Sequence, residues 1–374
     1  MKKTFVVLTA IVFTLLALKS KDPQVAPAFA SSASAKFRPD LARSGKMVLK
    51  ASSAYTYYLP MVVNSEFIPV WGALGLKGID VQTLAFDPIT PSVMYAGTDG
   101  QGIYKSFDFG STWSQMSSGL PVSSTAYIIA VDPDVPQKLY AALSTYPRFY
   151  YSENSGQSWI PGDGLQHLIG ALLPYPGTSG RLLVGVGQFE LSGGQLFRSD
   201  TGGLSWTEVL SKQVSARSIV ASFQEPSLIY AGGRGIYRSQ DGGDTWLQVA
   251  ADMSDLQVWD IALNPDDRLA AYAATNAGIL KTTNGGDDWS SWGSGLPSND
   301  IRKLQINSLH PTVQYAAFYL SGVYSSLDEG NHWRSMNQGL GEMYVNDLLL
   351  DASGTRLYAA TPDGIWAAVL VNGD

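Results

Sequence analysis

Apolar residues fall into short runs that alternate, stop at a turn and start again, unit after unit. Val81-Gln82-Thr83-Leu84-Ala85-Phe86 alternates and ends at Asp87-Pro88, as a half-buried strand closed by a turn should. Val93-Met94-Tyr95-Ala96-Gly97 follows as a second run, and Gly102-Ile103-Tyr104-Lys105-Ser106 as a third. The second run recurs as Leu139-Tyr140-Ala141-Ala142, Ile229-Tyr230-Ala231-Gly232, Ala271-Tyr272-Ala273-Ala274, Gln314-Tyr315-Ala316-Ala317 and Leu357-Tyr358-Ala359-Ala360. Tyrosine beside small residues suits close packing of one sheet on the next. The third run leads into a repeated phrase, Ser-x-Asp-x-Gly-x-Thr-Trp, complete at Ser106 to Trp113 and Ser239 to Trp246. Weaker copies run from Ser152 to Trp159, Ser199 to Trp206, Thr282 to Trp289 and Ser326 to Trp333, with starts 46, 47, 40, 43 and 44 residues apart. A fixed period of about 40–50 residues predicts stacked four-stranded units arranged as blades around a ring.

A seventh unit supplies Val345 to Asp351, Leu357 to Ala360 and Gly364-Ile365-Trp366-Ala367, but no copy of the phrase. Its missing strand has a candidate near the other end of the chain. Phe67-Ile68-Pro69-Val70-Trp71 followed by Gly75-Leu76 has the rhythm of Trp113…Gly119-Leu120 and Trp289…Gly295-Leu296. An N-terminal strand completing the last blade would close the ring and leave no open sheet edge. The expected fold is all-β: a seven-bladed β-propeller of four-stranded blades over residues 66–374.

The repeated phrase resembles that of the Asp-box, or BNR-like, β-propeller superfamily. The resemblance implies that each box is a hairpin turn between the third and fourth strands of a blade. Asp108, Asp241 and Asp328 would accept backbone N–H bonds inside their own turns, with glycine taking the backbone angles closed to other residues. Trp113, Trp159, Trp206, Trp246, Trp289 and Trp333 would pack on the blade edges. Asn154, Thr201 and Asn284 replace the aspartate, and each can bond locally. These positions are structural, so their carboxylates are not read as catalytic.

The ends and the composition narrow the setting. Lys2-Lys3 introduces an apolar stretch from Thr4 to Leu18, shorter than the roughly 20 residues a membrane-spanning helix needs. Residues 1–30 read as a signal peptide, with Ala28-Phe29-Ala30 as cleavage site and Ala33-Ser34-Ala35 as second choice. Export, with no membrane span after removal, is the expectation. Residues 31–65 read as a Ser/Ala-rich linker with one apolar patch from Tyr55 to Val63, taken as a tether. A charged fraction of 15% and a net charge of -7 give no electrostatic case for nucleic acid. No cysteine is present, so no disulfide framework exists. A monomer without metal or cofactor is expected.

Candidate chemistry lies where the blades differ. Lead-ins to first strands and loops from second to third strands share one face, opposite the boxes. Gln82-Thr83, Tyr127-Ile128, Trp259-Asp260, Arg302-Lys303 and Asn346-Asp347 open their first strands with polar or aromatic residues. Blade two adds Tyr146 and Arg148 in its second-to-third loop, and blade four adds Arg234. Blade three has a longer loop there, Gly185 to Gly194, carrying Phe189. Aromatic surface with a few converging polar groups is the usual lining of a ligand site. Twelve residues are therefore ligand-binding candidates: Gln82, Tyr127, Tyr146, Arg148, Phe189, Arg234, Trp259, Asp260, Arg302, Lys303, Asn346 and Asp347.

Three enzyme classes can be tested on the residues. Glu66-Phe67-Ile68-Pro69 lacks the arginine of the Arg-Ile-Pro expected of a sialidase. His167, His310 and His332 lie in different units without metal-ligand spacing. Tyr95-Ala96-Gly97-Thr98-Asp99-Gly100-Gln101-Gly102 is similar to a stretch of xyloglucan-cleaving glycosidases, which implies Asp99 as a catalytic carboxylate. Hydrolysis needs a second carboxylate about 5–9.5 Å away. That family takes it from another propeller; the candidates in this chain are Asp80, Asp260 and Asp347. Single propellers of this kind also resemble photosystem-II assembly factors and their secreted bacterial relatives. The reading is a secreted, non-catalytic platform that binds a protein or glycan through this face. An extracellular glycoside hydrolase of xyloglucanase-like type, with Asp99 at its centre, is the alternative.

Overall fold

The computed structural model describes residues 46–50, 56–60 and 69–370, apart from 163, 166, 188–193, 212–213 and 251–255. The expected signal peptide and Phe189 lie outside the described residues. Within the expected linker, Lys46–Lys50 pairs antiparallel with Thr56–Pro60 in a sheet of its own, Met47 opposite Leu59 and Leu49 opposite Tyr57. Of the apolar patch, Thr56–Pro60 is thus a paired strand, and the rest lies outside the described residues.

From Trp71 onward the chain forms seven four-stranded antiparallel sheets, and the described residues contain no helix. Blade one is Val81–Phe86, Met94–Thr98, Ile103–Ser106 and Ser114–Gln115, hydrogen-bonded in that order. Blades two to six repeat it, with first strands Ala126–Val131, Ile169–Pro174, Ser218–Ala221, Val258–Leu263 and Ile301–Ile306. Blade seven has Asp347–Leu350, Arg356–Thr361 and Gly364–Val369, and its outer strand is Trp71–Gly75 from the N-terminal side. Trp71 lies opposite Ala368 and Ala73 opposite Trp366, so the ring closes as the sequence predicts.

Burial explains the order of strands. First strands pack on one another around the central channel. Second strands of blades one to six are buried at every position, because each is covered on both faces by neighbouring blades. Tyr95, Tyr140, Tyr230, Tyr272 and Tyr358 are among the largest fully buried side chains. Each apolar cluster straddles two blades: Tyr95 and Ile103 of blade one pack with Ala126, Ile129, Leu139 and Trp159 of blade two. The core is therefore a ring of wedges between blades.

The repeated phrase forms the turn from third to fourth strand. In the first copy Gly110 N–H donates to Ser106 Oγ at 2.9 Å, and Thr112 N–H and Oγ1–H donate to the Asp108 carboxylate at 2.8 and 2.7 Å. The same glycine-to-hydroxyl bond recurs at Gly156, Gly203, Gly243, Gly286 and Gly330. Where the carboxylate is present, the tryptophan indole closes on its own turn: Trp113 on Gly110 O, Trp246 on Gly243 O and Trp333 on Gly330 O. In blade two, where Asn154 replaces it, Trp159 reaches back to Met116 O of blade one at 2.8 Å. These turns are spent on folding.

Candidate functional site

Opposite these turns, each second-to-third loop is sewn to the lead-in of its own first strand. Asp99 N–H donates to Asp80 O, Ser144 to Thr125 O, Asn276 to Gln257 O and Tyr319 to Asp300 O, at 2.8–3.1 Å. The sewing builds one rim from both loop sets.

At this rim the first strands carry a β-bulge. In blade one Val81 opposes Thr98 and Thr83 opposes Gly97, leaving Gln82 as the extra residue. Tyr127, Gly170, Trp259 and Arg302 are the extra residues of blades two, three, five and six. In blades four and seven the pairs Arg217-Ser218 and Asn346-Asp347 face single residues, Gly232 and Ala360. A bulge re-aims a side chain that strict alternation would have placed elsewhere. It divides the candidates into two tiers, the bulge residues at the mouth and their neighbours inside the channel.

The inner tier is structural. Asp260 is buried; it accepts from Ser218 Oγ at 2.9 Å and from Leu304 N–H of the next blade at 3.0 Å. Ile261 N–H donates to Ser218 Oγ at 3.1 Å. Asp347 accepts from Leu84 N–H at 2.9 Å and Thr83 Oγ1 at 3.2 Å across the closing seam, and from Leu348 N–H at 3.0 Å. Lys303 Nζ stands 3.4 Å from Asp347 Oδ1. Its ammonium is held above the usual lysine range, first by Asp347 and then, after burial has worked the other way, by Asp260. Burial pushes the Asp260 carboxyl up, against the pull of Lys303 and its two donors. Asp260, Lys303 and Asp347 are therefore clasps between blades. Neither aspartate is available as a partner carboxylate for Asp99, because both are committed to main-chain donors inside the channel.

The outer tier forms a continuous strip. Asn346 Nδ2 and Gln82 Nε2 both donate to Asp80 Oδ1, at 2.9 and 2.8 Å. Tyr344 meets Tyr319 edge-on with centroids 4.8 Å apart. Tyr319 packs on the Arg302 guanidinium at 4.7 Å, and Arg302 lies 3.9 Å from the Trp259 ring centroid. Arg217 of blade four approaches the same indole, also at 3.9 Å. Asp300 pairs with Arg302 at 3.0 Å, and Gln257 Oε1 accepts from Arg217 at 3.4 Å. Arg217, which sequence reasoning missed, is lowered to about 10, first by burial and then by Arg302 and Arg234. Aligning Ser218 with Asp260 would have exposed it, since both stand one residue after the bulge.

Of the other candidates, Tyr127, Tyr146 and Arg148 lie apart from this strip on blade two, whereas Arg234 adjoins it at Gln257. Tyr127 is half-buried at the mouth of blade two, and Tyr146 is 67% exposed on that blade's loop. Arg148 donates to Ser144 O at 2.6 Å and so braces its own loop. Arg234 N–H donates to Val214 O at 2.6 Å, and its backbone bridges Gln257.

Asp99 occupies a turn, but the turn does not use its carboxylate. Thr98 Oγ1 closes it on Gly102 O at 2.7 Å, as Thr275 does on Gly278 O and Thr361 on Gly364 O. The exposed Asp99 carboxylate instead accepts from Thr125 Oγ1 of blade two. Its main chain is bonded to that of Asp80, whose carboxylate turns to Gln82 and to Asn346 of blade seven.

No family model matches the chain. A xyloglucanase of Hypocrea jecorina (strain QM6a) is 26% identical over 266 residues, which cover 65% of this chain and 30% of that enzyme. A xyloglucanase of Paenibacillus sp is 23% identical over 213 residues, 45% of this chain and 20% of that enzyme. The chain thus matches less than a third of the length of either relative. Among solved structures, the GH74 xyloglucanase from Xanthomonas campestris is similar with a TM-score of 0.61 at 20% identity, over 80% of this chain and 53% of that one. YCF48 bound to D1 peptide is similar with a TM-score of 0.62 at 16% identity, over 83% and 97%. Both likenesses carry the fold. The two curated relatives overturn the expectation of a non-catalytic platform: each is named for a glycan-cleaving enzyme, which favours the alternative.

Proposed function

We propose that this chain is a glycoside hydrolase of xyloglucanase type that acts on β-glucan chains through the mouth of its propeller. The observation that carries the reading is that half-buried Asp80 and exposed Asp99 are joined main chain to main chain at the mouth of blade one. Asp99 is the more exposed, and its carboxyl meets the glycosidic oxygen. Asp80, steadied by Gln82 and Asn346, orients the attacking water. One carboxyl gives its proton to the leaving oxygen as the C–O bond breaks. The other takes a proton from the water whose oxygen bonds to the anomeric carbon, so each turnover consumes one water. Tyr344 and Tyr319 supply aromatic surface along which the chain can lie.

The resemblance of the box turns to those of Asp-box propellers supports this placement, and the apolar Thr4 to Leu18 stretch supports export, where a wall polysaccharide is met. The test is reducing-sugar release from xyloglucan and mixed-linkage β-glucan by the full chain, with Asp99→Asn and Asp80→Asn alongside. Release that falls at least a hundredfold in both variants is expected. No release by the parent protein, or release untouched by both substitutions, overturns the reading.

A further inference from the structure

Aromatic side chains at the mouth differ in what covers them. Trp259 carries the guanidinium groups of Arg217 and Arg302, each 3.9 Å from its ring centroid. Tyr319 and Tyr344 meet edge-on, and Tyr319 also holds Arg302. Blade two is different. Among the described residues no ring, cation or hydrogen bond engages the side chain of Tyr127 or Tyr146. Tyr127 is the half-buried bulge residue of its first strand, and Tyr146 stands exposed on the loop two residues past Ser144.

One exposed tyrosine on a slack loop would mean little. This loop is not slack. Thr125 N–H donates to Ser144 Oγ and Ser144 N–H donates back to Thr125 O, both at 2.9 Å. Leu143 N–H donates to Arg148 O at 2.8 Å, and the Arg148 guanidinium to Ser144 O at 2.6 Å. A loop tied at both ends has little freedom left to lose when its tyrosine is covered. Thr125 is buried, and its hydroxyl donates to Asp99 Oδ1 of blade one. The same residue therefore fastens the tyrosine loop and grips the exposed carboxylate.

We infer that Tyr146 and Tyr127 form a sugar-stacking subsite beside Asp99, held in place relative to that carboxylate by Thr125. The inference rests on the glycan reading of the mouth and names the unit the subsite takes, a β-linked glucose whose hydroxyls are all equatorial. Such a ring presents only C–H bonds on its two faces, which suits an uncovered aromatic ring. An axial hydroxyl, as in mannose, would press a polar group against the same ring and strip its water without replacing it.

The probes are cellohexaose and mannohexaose, titrated calorimetrically into the full chain carrying Asp80→Asn, which stops turnover and leaves the Thr125–Asp99 bond in place. Cellohexaose should bind more tightly than mannohexaose by about fivefold. Tyr146→Ala should weaken cellohexaose by about three- to tenfold at unchanged Tm, the range a stacked aromatic face contributes. Tyr127→Leu should lose a similar factor. Tyr146→Phe keeps the ring and Tyr146→Trp enlarges it, so both should bind at least as well as the parent. No binding of cellohexaose, or an affinity unchanged in either Tyr146→Ala or Tyr127→Leu, overturns the inference. Equal binding of mannohexaose overturns the assignment to all-equatorial sugars. Binding that needs Tyr146, with no sugar release by the parent protein, would sink the enzyme reading alone. Sugar release that needs Asp80 and Asp99, with affinity untouched by Tyr146→Ala, would sink the stacking subsite alone.

Discussion

Replacing Asp347 with alanine removes the clasp across the closing seam. The carboxylate takes two main-chain N–H groups, the Thr83 hydroxyl and the Lys303 ammonium. Each buried donor left without a partner costs about 1–3 kcal/mol, and breaking a buried ion pair costs about 3–5 kcal/mol. The Lys303 side chain is 34% exposed and keeps Asp260 as a second partner, so the lower end applies. The expected loss is about 3–4 kcal/mol. A propeller of about 300 residues unfolds with an entropy of about 0.6 kcal/mol/K, which converts the loss to a fall in Tm of about 5–7 °C. Asp347→Asn retains an oxygen for one N–H and should lose about 2–3 °C. Scanning calorimetry at pH 7 reads both. A fall below about 1 °C for alanine, or a larger one for asparagine, would refute the clasp.

The same tier gives a pH signature. Lys303→Met leaves Asp260 and Asp347 facing each other, and burial has already raised the Asp260 carboxyl. Protonation relieves that pair, so the Tm deficit should be larger at pH 8 than at pH 4; an equal deficit would contradict the arrangement. At the opposite face, Asp328 is held down to about 2, chiefly by the His332 side chain and main chain. A depressed carboxyl stabilises the fold above its unfolded value near 4 and loses that contribution as pH falls towards 2. Asp328→Asn should flatten this acid limb in pH-dependent melts, and an unchanged limb would assign it elsewhere. Gly97→Ala would set a methyl 2.5 Å from Ala126 O and 2.8 Å from the Thr83 side chain, between blades one and two. It should cost about 1–3 kcal/mol in urea titrations.

The blades are legible in the sequence because their signals are local. A buried second strand reads as a Tyr-Ala run in every blade but the third, where it is Leu182–Val186, and the box turn needs only its own eight residues. Closure is legible because Trp71 repeats the rhythm of the other outer strands. The mouth is harder, since a bulge is defined by which residue lacks a partner, and that depends on the neighbouring strand. Trp259 and Asp260 read together as one polar opening, yet the bulge sends one to the rim and the other into the channel. Asp99 stands at the repeat position where Thr275 to Gly278 and Thr361 to Gly364 make turns in blades five and seven. Only the structure separates the turn, made by Thr98, from the carboxylate left over.

Blade seven has one strand from the front of the chain and three from its end. Any pull transmitted along the upstream residues therefore enters the ring through Trp71–Gly75, which is held by its ladder to Gly364–Val369 and by the Trp71 indole on Met336 O. If tension strips that strand away, blade seven is left with three strands and the ring is held by its inner contacts alone. Asp347 then has a mechanical office as well, because it grips blade one from the inner end of the same blade. The seam is fastened at its inner and outer margins by unrelated contacts, so a ring that loses one fastening is still held by the other.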